Sequence, residues 1–245
     1  MVTLITVTIE ENKAVGKISI IIPVFNEEKL INPLLSRLLS IIEETESEII
    51  ISDGHKDATT INSIEKKFLC LNNLKTIKAP LNRGNQMNAA AKNAEGDIFL
   101  FLHADTCLSE KAFKSIGIIM KEHCAGAFRI SLDSKKLQYR VIEKLINLRT
   151  KLTNTPYGDQ ALFIRKNSFF SLNGFFSHPI MEDIDLIRRI RNRGDKIYIS
   201  DHEVMTSCRR WEREGVIKCT LRNWYLLLMY YIGKHPDSLI KYYYY

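Results

Sequence analysis

The sequence predicts an α/β protein with a central, mostly parallel sheet flanked by helices. Short apolar or β-branched runs alternate with amphipathic helices from residue 18 to residue 102, and this alternation is typical of parallel strands joined by right-handed crossovers. Residues 98–102 are all apolar, as in a strand that is covered on both faces. Because ligands bind outside the carboxyl ends of such strands, we expect the functional site at that edge.

The first half of the chain supplies the parallel strands and their crossover helices. Its predicted strands cover residues 18–22, 48–51, 74–78 and 98–102. Asn32 and Pro33 predict the start of the first helix, with the Asn32 side chain as N-cap. Two further helices are predicted over residues 61–69 and 87–94.

The alternation ends in the second half. Ser109 is the predicted N-cap of a helix over residues 110–121, and Gly194 is predicted to end another helix that starts at residue 182. An amphipathic helix is predicted over residues 137–148. The other predicted elements are strands at residues 125–130, 161–164 and 196–199, a turn at 173–176 and an apolar, aromatic helix at 216–233.

A length of 245 residues allows one large α/β domain or two small ones, and the absence of internal repeats and of a linker predicts one domain. Residues 1–16 form an extension, 17–233 the domain and 234–245 a tail; the domain comprises a first half (17–106), a second half (107–212) and a C-terminal helix (213–233). The net charge of +7 indicates an anionic partner, such as nucleic acid, nucleotide phosphates or an anionic membrane.

Five unclustered cysteines and no signal pattern predict a cytoplasmic protein. No apolar run reaches the roughly 18 residues of a membrane span.

Acidic residues follow three of the predicted parallel strands: Glu27, Asp53 with Asp57, and Asp105. An acidic cluster repels a nucleotide unless a divalent cation lies between them, so the pattern points to Mg²⁺ or Mn²⁺. Neither a dinucleotide-binding G-x-G-x-x-G motif nor a P-loop follows the first strand.

Seven motifs occur along the chain: I-I-P-V-F-N-E-E (21–28), S-D-G-H-K-D (52–57), R-G-N-Q-M-N (83–88), H-A-D (103–105), Y-G-D-Q (157–160), M-E-D (181–183) and R-R-W (209–211). Their order and spacing resemble those of the family-2 glycosyltransferases. The resemblance covers residues 17–233 and implies the GT-A fold and a nucleotide-diphosphate sugar donor, with residues 17–106 as the nucleotide-binding half and 107–212 as the acceptor half. Within the family, the motifs most resemble those of the small bacterial subgroup of carotenoid (diaponeurosporenoate-type) and radical-SAM-associated glycosyltransferases.

The resemblance assigns nucleotide-binding residues to the first half of the chain. Pro23, Phe25 and Glu27 would line the base and ribose pocket. Asp53 would accept a hydrogen bond from the base, which favours uracil with its N3–H and therefore a UDP-sugar. Arg83 would lie near the base or the diphosphate, where a fixed cation is useful.

The resemblance also makes Asp105 the ligand of the divalent metal (Mn²⁺ or Mg²⁺) that bridges the diphosphate oxygens. The family motif is D-x-D, and His103 replaces its first aspartate. His103 is therefore either a second metal ligand, which would favour Mn²⁺, or a nucleotide-binding residue that hydrogen bonds to the ribose or backbone.

On the acceptor side, the resemblance makes Asp183 the general base of an inverting displacement. Glu182 is assigned to the same site, although carboxylates at a helix N-terminus often serve only as capping partners. Asp159 and Gln160 would contact the donor sugar or the acceptor, or would shape their loop.

Arg210 and Trp211 are assigned to the diphosphate and to a sugar face, respectively. The alternative for Trp211 is an anchor that holds its loop to the core. Burial, a homodimer contact and peripheral contact with an anionic membrane remain open for the final helix.

The sequence thus predicts a metal-dependent, inverting transferase of a nucleotide-activated sugar to a small-molecule, glycan or lipid acceptor. The alternatives are a sugar nucleotidyltransferase, which would need a Gly-rich loop after the first strand, and a catalytically silent nucleotide-binding or membrane-associated protein. Nucleic-acid binding is not expected, because no aromatic-basic module is present.

Overall fold

The structure, a computed structural model, describes residues 16–243. In chain order its strands are β1 (Ile18–Val24), β2 (Glu48–Asp53), β3 (Leu74–Lys78), β4 (Ile98–Phe101), β5 (Thr106–Cys107), β6 (Ala125–Leu132), β7 (Phe163–Arg165) and β8 (Ile197–Thr206). The helices are α1 (Glu28–Ile42), α2 (Thr59–Asn62), α3 (Lys66–Leu69), α4 (Arg83–Lys92), α5 (Glu110–Ile119), α6 (Leu137–Thr153), α7 (Lys166–Ser171), α8 (Glu182–Asn192), α9 (Arg209–Glu214), α10 (Val216–Tyr231) and α11 (Pro236–Tyr243). Apart from Gly16, the predicted N-terminal extension lies outside the described residues.

The described strands form one mixed sheet in the order β3-β2-β1-β4-β7-β6-β8-β5. The first four pair in parallel, as the alternation predicts. The second half adds antiparallel pairs of β7 with β4 and with β6, and a parallel pair of β6 with β8. The predicted α/β sheet flanked by helices is therefore confirmed.

Strand β1 contributes to the core on both faces of the sheet, because the side chains of successive strand residues point to opposite faces. Ile20 and Ile22 pack in one apolar cluster and Ile21 packs in the other, and all three are fully buried. Helix α1 covers the first face and α4 the second. This packing explains why the strand is apolar at consecutive positions.

The predicted start of the first helix at Asn32 is wrong, because α1 begins at Glu28 and contains Pro33. The Asn32 side chain instead donates to Ser63 O and accepts from Glu65 N. These bonds satisfy the backbone between α2 and α3, where one continuous helix was predicted. The N-cap Ser109, which accepts from Ala112 N, is confirmed, as is the end of α8 near Gly194, with φ of +89°.

The C-terminal region is more structured than predicted. The predicted tail contains α11, which packs with α10 through Leu239. Helix α10 buries one face through Cys219, Leu226 and Tyr230 and leaves the opposite face exposed. The burial considered for this helix from its sequence therefore holds for only one of its faces. Between residues 16 and 243, no helix has both the length and the apolar character needed to cross a membrane.

Candidate active site

The parallel pairing of β1 with β4 brings the loops after these strands to the same edge of the sheet. Glu27 follows β1 and Asp105 follows β4. The Arg209 guanidinium lies against both: Nη1 and Nη2 donate to Glu27 Oε2 and Oε1 at 3.0 and 2.6 Å, and Nε lies 3.2 Å from Asp105 Oδ2. A fixed positive charge at the start of α9 therefore joins the two strand-end carboxylates.

His103 lies beside this group as a neutral imidazole. Burial lowers its pKa, and the charges of Arg83 and Arg209 lower it further, to about 3. A neutral ring keeps a nitrogen lone pair available as a metal ligand or hydrogen-bond acceptor.

Asp183 lies in the first turn of α8, and two backbone amides orient its carboxylate. Gly158 N donates to Oδ2 at 2.5 Å, and Ile184 N donates to Oδ1 at 2.8 Å. A Cβ atom at Gly158 would lie 3.2 Å from Asp183 Oδ2 and 3.2 Å from His103 Nε2. Because Gly158 has no side chain, the Asp183 carboxylate and the His103 imidazole can both lie close to its backbone.

Glu182 and Arg83 form an ion pair in the site. Arg83 Nη1 lies 3.5 Å from Glu182 Oε1, and the Glu182 side chain is almost fully buried. Burial raises the Glu182 pKa; the Arg83 charge opposes the shift and Asp183 adds to it. These side chains line one small cavity with His103 and Gly158, so motifs from four separate segments meet there.

Asp53 is fully buried, and its carboxylate binds backbone amides. Oδ1 accepts from His55 N at 2.8 Å, and Oδ2 accepts from Thr60 N and Ile61 N at 3.0 and 3.1 Å. The carboxylate thus holds the loop after β2 in place.

Phe25, which follows the neighbouring strand β1, is exposed, and the centroid of its ring lies 5.4 Å from that of the His55 ring. Pro23 is partly exposed within β1.

The Y-G-D-Q motif forms a 3₁₀ turn with two different environments. Gln160 is fully buried, accepts from Thr150 Oγ1 at 2.9 Å and donates to Phe128 O at 2.8 Å, so it shapes the loop. Asp159 lies near enough to Asp183 and Asp105 to be affected by their charges. Its buried Oδ1 has no hydrogen-bond partner among the described residues, and burial raises its pKa to about 6, with Asp183 and Asp105 adding to the shift and Arg149 opposing it.

Within the R-R-W motif, Arg209 contacts the strand-end carboxylates, whereas Arg210, which the resemblance assigns to the diphosphate, has other partners. Arg210 Nη1 donates to Tyr243 Oη at 2.5 Å, and its Nε lies 3.4 Å from Glu214. Trp211 packs against the cluster that contains Tyr139, which matches the anchoring alternative. Adjacent helix residues point in different directions, so the start of α9 decides which arginine faces the site.

The donor set can accommodate a divalent cation if the substrate completes the coordination. Within residues 16–243, no three His, Cys, Asp or Glu side chains form a metal cluster. Asp105 and the neutral His103 offer one oxygen and one nitrogen donor, and the Arg209 guanidinium shows that positive charge is stable beside Asp105. Magnesium in nucleotide-dependent enzymes often takes one or two carboxylates together with substrate phosphates. Asp105 fits that arrangement, whereas the His103 imidazole is not a typical magnesium ligand.

The chain is similar in sequence to known glycosyltransferases. The family model described as "Glycosyl transferase family 2" matches residues 19–176. The poly(ribitol-phosphate) β-N-acetylglucosaminyltransferase TarS of Staphylococcus aureus is 31% identical over 120 residues, which cover 47% of this chain and 21% of TarS. The undecaprenyl-phosphate 4-deoxy-4-formamido-L-arabinose transferase of Shewanella sediminis is 24% identical over 221 residues, 77% of this chain and 64% of that protein. The chain thus spans less than two thirds of the length of these relatives.

Solved structures show the same fold. S. aureus TarS 1–349 in complex with UDP-GlcNAc aligns with a TM-score of 0.59 and 20% identity, over 78% of this chain and 58% of that one. The mannosyltransferase PcManGT of Pyrobaculum calidifontis, in complex with GDP-Man and Mn²⁺, aligns with a TM-score of 0.65 and 15% identity, over 91% of this chain and 66% of that one. These likenesses identify the GT-A α/β fold.

Proposed function

Because the chain belongs to glycosyltransferase family 2, we propose that it transfers a sugar from a nucleotide-diphosphate donor to an acceptor hydroxyl or carboxyl with inversion of configuration. The observation that carries the proposal is the meeting of Asp183, His103 and Asp105 at one sheet edge, next to the Arg209 cation. The motif set further supports membership of the carotenoid-type and radical-SAM-associated subgroup.

A UDP-sugar is the proposed donor. The complexes of TarS with UDP-GlcNAc and with UDP support this choice. The exposed Phe25 ring beside His55 offers a surface on which a base can stack. Asp53 fixes the loop that carries His55, and its carboxylate would have to release a backbone amide in order to accept from the base. Glu27 would accept hydrogen bonds from ribose hydroxyls.

Charge on the diphosphate is balanced by groups at the carboxyl edge of the sheet. Asp105 and His103 would hold Mn²⁺ or Mg²⁺, which when bound stabilises negative charge on the leaving diphosphate. Arg209 provides a fixed cation on the same side, and a guanidinium binds phosphate oxygens in a bidentate manner. Arg83, which lies 3.5 Å from Glu182, provides a second cation in the site.

Asp183 is the proposed general base. Asp183 Oδ2 would take the proton of the acceptor O–H while the acceptor oxygen attacks the anomeric carbon and the bond to the nucleotide diphosphate breaks. The amides of Gly158 and Ile184 fix the direction of the carboxylate before the acceptor binds. Such orientation reduces the entropic part of the activation barrier.

Calorimetric titration with UDP and GDP, each with and without Mn²⁺, tests the donor assignment. We expect UDP to bind more tightly than GDP, and Mn²⁺ to increase the affinity. Loss of the Mn²⁺ effect in Asp105→Asn would support the metal assignment. Absence of binding for both nucleotides under both conditions would reject the proposed donor class and would favour the catalytically silent, membrane-associated alternative.

A further inference from the structure

Helix α6 has apolar side chains on two opposite faces. Its inner face packs Tyr139 and Ile142 against the protein. Its outer face carries Leu137, Val141, Leu145, Leu148 and Leu152, each between 48% and 79% exposed. Their spacing of three or four residues places them in one stripe along the helix. An outward-facing stripe of this length is unusual for a protein surface that contacts only water.

Helix α10 repeats this arrangement. Its inner face buries Cys219, Leu226 and Tyr230. Its outer face exposes seven apolar or aromatic residues, again at helical spacing: Ile217, Leu221, Trp224, Tyr225, Leu228, Tyr231 and the following Ile232. The stripe therefore extends over the whole helix and includes three amphipathic rings, the side chains that are enriched where a membrane meets water.

The two helices are neighbours. Residues at the start of α6 and at the start of α10 line a shared groove of about 740 Å³ that includes Lys136, Ile217 and Lys218. Towards their other ends, Tyr157 connects them: the Arg149 guanidinium of α6 stacks on its ring, and the ring packs in the cluster that contains Tyr230 of α10. We call the outer faces of α6 and α10 together the outer apolar surface.

Exposed lysines flank the outer apolar surface on both helices, and Glu212, which lines the shared groove, lies 4.0 Å from Lys136. Lys144 and Lys151 are exposed on α6, and Lys218 is exposed on α10. Helix α10 contains no acidic residue. The single acid of α6, Glu143, is largely covered by its bonds to Leu132 N and Arg140. A second copy of this chain would bring like charges together, whereas an anionic surface would neutralise them.

We propose that the outer apolar surface binds the headgroup region of a bilayer that contains anionic phospholipid. The leucines and aromatic rings would enter the boundary between headgroups and acyl chains, and the lysines would contact lipid phosphates. This proposal does not rest on the proposed sugar transfer, because the binding can be measured without donor or acceptor.

Co-sedimentation with vesicles tests the proposal. The full chain is mixed with vesicles of phosphatidylcholine alone, or of phosphatidylcholine with phosphatidylglycerol, at low and at high salt. We expect binding to the vesicles that contain phosphatidylglycerol, weakened by salt. Leu145→Glu and Leu228→Glu should each reduce the partition coefficient about tenfold or more, because each removes a leucine from the apolar phase.

Ile118→Glu is the matched control. Ile118 is 67% exposed on α5, outside the outer apolar surface, so this variant should bind vesicles as the natural chain does. All three replaced side chains are exposed, and circular dichroism and thermal unfolding should show that the variants fold. Wild-type binding by both leucine variants, or an equal loss in Ile118→Glu, would overturn the proposal.

Two further measurements distinguish a membrane from a second copy. The chain has two tryptophans, so Trp211→Phe leaves Trp224 as the only indole reporter. Its emission should shift to shorter wavelength on vesicles that contain phosphatidylglycerol, and an unchanged spectrum would contradict the proposal. Light scattering should show a monomer without vesicles; a dimer that both leucine variants dissociate would assign the surface to self-association instead.

Discussion

The Arg209 guanidinium is bound by both carboxylate oxygens of Glu27, at 3.0 and 2.6 Å. The two residues are 182 positions apart in the chain, so this ion pair joins the loop after β1 to the start of α9. The same guanidinium contacts Asp105. Glu27 and Asp105 thereby orient the cation at the edge where a donor diphosphate is proposed to bind.

Replacing Arg209 with alanine should weaken UDP binding by about 10- to 100-fold, because a charge-assisted hydrogen bond contributes roughly 1.5–3 kcal/mol. Isothermal titration measures the change. Arg210→Ala is the matched control: its side chain binds Tyr243 and Glu214, so UDP affinity should stay within about twofold. The opposite ranking of the two variants would show that Arg210 contacts the diphosphate.

Asp183→Asn should lower kcat by about 10²- to 10⁴-fold, the usual contribution of a general base, while the Kd for UDP stays unchanged. Steady-state kinetics and titration of the same preparation separate the two effects. Asp201→Asn, an exposed residue of β8, should leave both quantities unchanged. A parallel loss of nucleotide binding in Asp183→Asn would mean that Asp183 holds the donor rather than the acceptor proton.

Gly158→Ala should lower kcat by about tenfold or more, because the added Cβ lies 3.2 Å from both Asp183 Oδ2 and His103 Nε2 and small displacements of reacting groups are costly. The melting temperature should change little. In the Asp183→Asn background the same substitution should have a much smaller effect, since the oriented base is already absent. Equal effects in both backgrounds would place the role of Gly158 elsewhere.

The buried carboxylate of Glu48 should make folding stability depend on pH. Burial alone would raise its pKa, but bonds from Lys75, Ser19 and the Glu95 amide outweigh burial and hold the pKa below 4.5. The folded state therefore binds the proton less readily than the unfolded chain does. The resulting stabilisation is complete above pH 4.5 and is lost as the pH falls through the folded-state pKa.

Glu48→Gln should consequently lower the free energy of unfolding at pH 7 by roughly 1–3 kcal/mol, with a smaller difference from the natural chain near pH 3. Chemical denaturation at both pH values measures this. Glu110→Gln, which removes an exposed pair with Lys114, should give no measurable change at either pH. A Glu48→Gln difference that does not shrink on acidification would show that packing, not charge, sets its contribution.

The sequence by itself determined the family, the parallel half of the sheet and the edge at which the site lies. Motif order is a property of the linear chain, and parallel neighbours such as β1 and β4 necessarily release Glu27 and Asp105 at one edge. Only the tertiary structure decided that Arg209 faces these carboxylates, that Asp53 binds backbone amides, and that α6 and α10 keep an apolar face exposed. The direction of a side chain around a helix, and the partners it meets, depend on packing between distant segments, which local sequence patterns do not encode.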